Sequence, residues 1–197
     1  MRLRTAACAV LAFSVASSAA QAHDFIEGAG ALNGFLHPLL VPAHALCLLA
    51  FGLMTGQQDK SSCMFLTALF PAALIAGILL IMYAVFPIDL VPIVLLASGA
   101  CAGLVTALAQ PLPRIIPAII LVAGGLSLII DSVPAVVSKR DTILALSGTV
   151  VAAALTLGLV AYLASVLTRD WQRIGVRILG SWTAASTLLV LALQFAR

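Results

Sequence analysis

Apolar runs of about 20 residues, separated by short polar breaks, constrain the fold of this chain more than any other feature. A helix needs about 20 predominantly apolar residues to cross the roughly 30 Å of hydrocarbon in a bilayer. The runs lie near residues 29–54, 64–86, 88–109, 115–137, 142–167 and 177–196. We therefore predict an all-α, polytopic transmembrane helix bundle of six spans, which forms a single domain over residues 23–197.

The composition supports a membrane protein rather than a soluble domain. The chain has 197 residues, of which 63% are hydrophobic and 9% charged, whereas soluble domains are about 45–50% apolar and about 25% charged. Its formal charge of +3 is spread along the sequence, and nucleic-acid binding requires a concentrated basic face. We expect the lipid bilayer as a partner and no nucleic acid, and we leave a homo-oligomer open.

The first 22 residues have the three regions of a secretory signal peptide. Arg2 and Arg4 precede an apolar stretch over 6–16, and the segment ends in the small-residue run 20–22. Cleavage there would leave His23 as the mature N-terminus on the outer side of a bacterial inner membrane. A terminal amine beside an imidazole can chelate a divalent cation, although a plain polar cap before the first span explains His23 equally well.

The positions of Lys and Arg agree with a mature chain that begins and ends outside. Cytoplasmic loops of inner-membrane proteins carry an excess of these residues. With six spans, the cytoplasmic breaks hold Lys60, Arg114, Arg169, Arg173 and Arg177. The outer side holds Lys139, Arg140 and Arg197. We predict a multi-pass protein of the bacterial inner membrane.

The first predicted span contains two of the three histidines in the chain, His37 and His44. A histidine at membrane depth is a candidate functional residue, because its ring has lost water and needs a partner. Pro38 and Pro42 each remove a hydrogen bond from the helix ladder. We therefore predict a bend between Gly34 and His44 that brings the two rings towards one site.

Other potential metal ligands accompany these histidines in the predicted topology. Cys47 follows His44 by three residues on the same helix face, and Asp89 and Asp131 fall in the outer halves of two further spans. Imidazole nitrogen, carboxylate oxygen and thiolate sulfur together suit nickel, cobalt or zinc. The candidate metal ligands are His37, His44, Asp131, Asp89, Cys47 and His23.

Each of these residues also has a purely structural interpretation. Asp89 lies between two prolines, where it would satisfy a helix N-terminus. Asp131 is close enough in sequence to pair with Lys139 or Arg140. His44 would be satisfied by a carbonyl that Pro42 leaves without a donor, and buried cysteines commonly act as small apolar residues.

The segment 34–53 resembles the signature of the HupE/UreJ family of small bacterial nickel or cobalt permeases. That signature reads Gly-Phe-x-His-Pro-x-x-Gly-x-Asp-His-x-Leu-Ala-Met-x-Ala-Val-Gly-Leu. The matching residues are Gly34, Phe35, His37, Pro38, His44, Leu46, Ala50, Gly52 and Leu53. Val41, Ala43 and Leu48 stand where the family has glycine, aspartate and methionine. The resemblance continues faintly at Asp89, where the family has glutamate, and at Asp131.

The resemblance implies a secondary permease that passes a divalent nickel or cobalt ion inwards. The alternative is a non-transporting membrane protein of the same fold that acts in metal sensing or metalloenzyme assembly, which the alanine at position 43 favours. The sequence lacks the Gly-x-x-x-x-Gly-Lys-Ser/Thr nucleotide motif, and it pairs no nucleophile with a base. We therefore expect no enzymatic activity and no cofactor, with the metal ion as the transported substrate.

Overall fold

The computed structural model describes residues 30–83, 88–110, 112–134 and 138–196. This part of the chain is all-helical and contains no strand. The helices are α1 (Gly30–Leu40), α2 (Pro42–Gly56), α3 (Lys60–Tyr83), α4 (Val91–Leu108), α5 (Ile115–Asp131), α6 (Lys139–Val166) and α7 (Asp170–Phe195), with a 3₁₀ turn at Ile88–Leu90 before α4. The predicted signal peptide, residues 1–22, and His23 lie outside the described residues.

Four helices, α3, α4, α6 and α7, are long and apolar enough to cross a membrane, and α1 with α2 makes a fifth if that bent pair is one span. The remaining predicted span, 115–137, corresponds to α5, which is apolar but has only 17 residues. At 1.5 Å per residue such a helix is about 25 Å long, a little less than the hydrocarbon thickness. The helical membrane architecture is confirmed, and the count of six spans stays a prediction.

The predicted bend in the first span is confirmed. The axes of α1 and α2 differ by 72°, and Val41 between them has an extended backbone with φ −80° and ψ 112°. Pro38 has no N–H to donate to the carbonyl of Gly34. The hydroxyl of Thr149 in α6 donates to that carbonyl instead, at 2.9 Å, so a neighbouring helix satisfies the acceptor that Pro38 leaves without a donor.

Helix α2 lies at the centre of the described bundle. It contacts all six other helices, and ten of its fifteen residues are buried. Neighbouring contacts show that α1, α2, α4 and α6 run in one direction and α3, α5 and α7 in the other. This alternation agrees with a chain that crosses back and forth.

Small residues allow the closest helix approaches. A Cβ on Gly34 of α1 would overlap the carbonyl oxygen of Ala145 in α6, and a Cβ on Gly148 would overlap that of Ala31. In the same way, Gly103 of α4 faces the backbone of α7 at Gly180. Close backbone approach through small residues is the usual basis of helix packing in membranes.

Candidate metal site

The centre of the candidate site is a hydrogen-bonded pair of side chains between α2 and α5. His44 lies in the first turn of α2 and is fully buried, and Asp131 is the last residue of α5. Nε2 of His44 and Oδ2 of Asp131 are 2.8 Å apart. The side chain of Asp131 is 32% exposed, so the pair connects the buried interior with the edge of the bundle.

His37 in the last turn of α1 completes a group of three. Its ring centroid is 5.1 Å from that of His44, with an interplanar angle of 64°. On a straight helix, residues seven apart are separated by about 10 Å along the axis. The break at Val41 therefore brings the two rings into contact.

Each of these two histidines has a buried ring nitrogen without a hydrogen-bond partner among the described residues. Nε2 of His37 and Nδ1 of His44 are both buried, and neither forms a hydrogen bond within the described part of the chain. Buried polar atoms in proteins are nearly always paired. These two nitrogens are therefore positions at which a bound species can be accommodated.

The other predicted ligands do not join this group. The thiol of Cys47 is fully buried and points at α4, where it donates to the carbonyl of Leu95 at 3.5 Å. Asp89 is exposed in the 3₁₀ turn before α4, and no hydrogen bond or ion pair among the described residues links it to the histidines. His23 lies outside the described residues.

The donors in the described ranges are not arranged as a complete metal centre. No group of three or more His, Cys, Asp or Glu side chains there is placed to hold a metal ion. No ion pair joins Asp131 to Lys139 or Arg140 within the same ranges. The partner of Asp131 is therefore His44 rather than a surface cation.

Phe51 contributes to this region although the sequence patterns did not single it out. It lies seven residues after His44, on the same face of α2, and is fully buried. Its ring fills the space beside Gly124, where a Cβ would overlap it, and its centroid is 6.0 Å from that of Phe70. The glycine pair Gly124-Gly125 in another span was the sequence feature that could have indicated a large side chain packed at this point.

A cavity of about 1410 Å³, here called the vestibule, lies at the opposite end of α2. Its lining includes Gly56, Asp59, Lys60, Cys63, Arg173 and Arg177. Three of these are cations that the sequence assigns to the cytoplasmic side. Hydrogen bonds from the side chain and N–H of Ser62 hold the pKa of Asp59 below its ordinary value, so this rim residue is ionised at neutral pH.

Comparison with known proteins identifies one family. The family model described as HupE / UreJ protein matches residues 11–190, which includes every residue of the candidate site. No curated protein matches the chain, and no solved structure matches it.

Proposed function

The chain belongs to the HupE/UreJ family, and from this membership and the grouping of two histidines with Asp131 we propose that it is a secondary permease for nickel or cobalt. Membership places the chain in a transporter-type family of multi-pass membrane proteins. It implies a function related to nickel or cobalt, in metal transport or in the maturation of urease or hydrogenase. Of these functions, we propose metal transport.

The observation that carries this proposal is the meeting of His37, His44 and Asp131 at a helix break. Broken helices are a common way to build ion sites in transporters, because the chain ends and freed backbone groups lie at mid-depth. Imidazole nitrogen suits nickel and cobalt. One carboxylate offsets part of the charge of a divalent ion, which would otherwise be costly away from water.

The proposed route follows α2. An ion enters from the outer side at the histidines and leaves through the vestibule, whose rim begins at Gly56. Twelve residues separate His44 from Gly56, or about 18 Å along the helix. Phe51 lies between them and must move for the ion to pass. We place the protein in a bacterial inner membrane, with α1 and α2 as one broken span and α5 as a short span.

The second candidate is a non-transporting protein that senses metal or assists metalloenzyme assembly. Two observations favour it: Ala43 stands at the family's aspartate, and no three ligating side chains in the described segments are arranged around one point. In this case the histidines would bind metal without passing it on.

Accumulation of nickel and cobalt in cells with and without the protein tests the proposal. We expect uptake with the parent chain and none with His37→Ala or His44→Ala at equal membrane levels. Cys101→Ala is the matched control, because it removes a potential ligand from an exposed position on α4 and should leave uptake unchanged. Metal binding without uptake would favour the second candidate, and a silent His44→Ala would remove the metal site altogether.

A further inference from the structure

Asp131 occupies only one of the two nitrogens of His44. An ionised carboxylate can only accept hydrogen bonds, so with Asp131 ionised the 2.8 Å contact requires the proton to be on Nε2 of His44. In the neutral ring the other nitrogen is then a bare lone pair. The nitrogen that remains available in His44 is therefore Nδ1, which is buried and lacks a partner in the described structure.

The spacing of the two histidine rings fits a shared ion. Nitrogen ligands lie about 2.0–2.1 Å from an ion such as zinc, which places the centres of two imidazoles in a tetrahedral site about 5 Å apart. The observed centroid distance between His37 and His44 is 5.1 Å. The two nitrogens without partners, Nε2 of His37 and Nδ1 of His44, belong to these same rings.

Asp131 is in the wrong place to be a third ligand in this arrangement. Its carboxylate lies against Nε2 of His44, whereas the ion would lie at Nδ1 on another edge of the ring. To bind through Nε2, the ion would have to displace the 2.8 Å hydrogen bond. A carboxylate that accepts from the distal N–H of a ligating histidine fixes the tautomer and the ring orientation, and it raises the basicity of the ligand.

We propose that Asp131 is a positioning residue that holds His44 in the Nε2–H tautomer, so that His44 Nδ1 and His37 Nε2 form a two-imidazole site for the transported ion. In this arrangement Asp131 of α5 supplies a carboxylate to His44, which follows alanine rather than the family's aspartate at position 43. This inference rests on the proposed function. It specifies which nitrogen atoms contact the ion, and it assigns Asp131 to orienting His44 rather than to binding the ion.

Nitrogen-15 NMR of purified protein with labelled histidine tests the tautomer without any metal. The chain has only three histidines, so a His44→Asn sample identifies the His44 signals. We expect Nε2 protonated and Nδ1 bare in the wild type. Asp131→Asn should keep this pattern, because its amide oxygen still accepts from Nε2–H, and Asp131→Ala should give a mixture of tautomers.

Co²⁺ titration of the same samples, followed by its visible absorption, tests the consequence for binding. We expect Asp131→Ala to raise the Kd for Co²⁺ by about 10–100-fold, as is typical of lost outer partners, and Asp131→Asn to raise it much less. Asp141→Asn is the matched control, since it removes an exposed carboxylate at the same end of the bundle and should leave the Kd unchanged.

The outcomes separate this inference from the proposed function. A proton on Nδ1 of His44 in the wild type overturns the inference, as does an Asp131→Asn variant that keeps the tautomer but loses Co²⁺ as fully as Asp131→Ala. The latter result would make Asp131 a ligand or an essential charge. A wild type that binds no Co²⁺ overturns the permease proposal together with the two-imidazole site.

Discussion

At its first turn α2 carries a fully buried histidine enclosed by α1 and α5, whereas its last turn opens into a vestibule of about 1410 Å³ lined by charged side chains. The enclosed end has few donors, and their positions are fixed by contacts from other helices. The open end has many charged and polar groups, which water can screen. We infer that selection of the ion belongs to the histidine end and that the vestibule serves its release.

The largest expected effect concerns the carboxylate at the histidine end. We expect Asp131→Ala to weaken cobalt binding by about 10–100-fold and so to reduce cobalt uptake. If Asp131 performs the task of the family's aspartate, adding Ala43→Asp to that variant should restore the uptake. Ala45→Asp is the matched control, because it introduces the same acid on the other side of His44. If both variants restored uptake, or neither did, an aspartate at position 43 would not be performing the task of Asp131.

The next prediction tests whether Phe51 separates the two ends. Cys63 lines the vestibule and Cys47 is fully buried beyond Phe51. In single-cysteine variants, a membrane-impermeant thiol reagent applied from the vestibule side should label Cys63 and leave Cys47 intact. Phe51→Ala should then make Cys47 reactive, because it removes the ring that fills the space beside Gly124.

Phe65→Ala is the control for this labelling, since it makes the same chemical change at an exposed position on α3. We expect it to leave Cys47 unreactive. Equal labelling of Cys47 and Cys63 with Phe51 in place would show that the two ends of α2 are already connected, and Phe51 would then not separate them.

The smallest expected effect is on stability. Gly34→Ala forces a Cβ into the carbonyl of Ala145, and overpacking of this kind costs about 1–3 kcal/mol. The Tm of the purified protein should fall by several degrees. Gly158→Ala in α6 should not lower it, because its nearest neighbour would be 4.0 Å away. An unchanged Tm for Gly34→Ala would mean that α6 does not fix the histidine end.

The break in the first span could be predicted from sequence because it depends on local covalent structure. Pro38 and Pro42 lack N–H groups wherever they occur, so the loss of ladder bonds does not depend on the rest of the fold. Hydropathy predicted the helical segments for a similar reason, because it depends only on the residues of each segment. The boundaries were less accurate: α7 begins at Asp170 rather than near residue 177, because a helix continues through polar residues that a test for apolar runs leaves out.

The direction of side chains in the site depends on how each helix is rotated, which sequence does not fix. The sequence predicted that Asp131 and His37 lie in the same half of the membrane. It did not predict that both contact His44, because that depends on how the helices pack. Spacing alone put Cys47 on the same face as His44. In the fold it turns to Leu95 and Gly99 of α4 instead, because the glycine leaves room for its sulfur.

The hydrogen bond between His44 and Asp131 has a mechanical consequence. Helix α1 touches α6 backbone to backbone at Gly34 and Gly148, and α2 packs closely on the same helix. Helix α5 packs mainly on α3 and α4 and only slightly on α2 and α6. The bond crosses the contact between α2 and α5 together with the packing of Phe51 against Gly124, so any rocking of α5 against α2 must disturb both. The polar end of this contact depends on one hydrogen bond, and the apolar end depends on one ring.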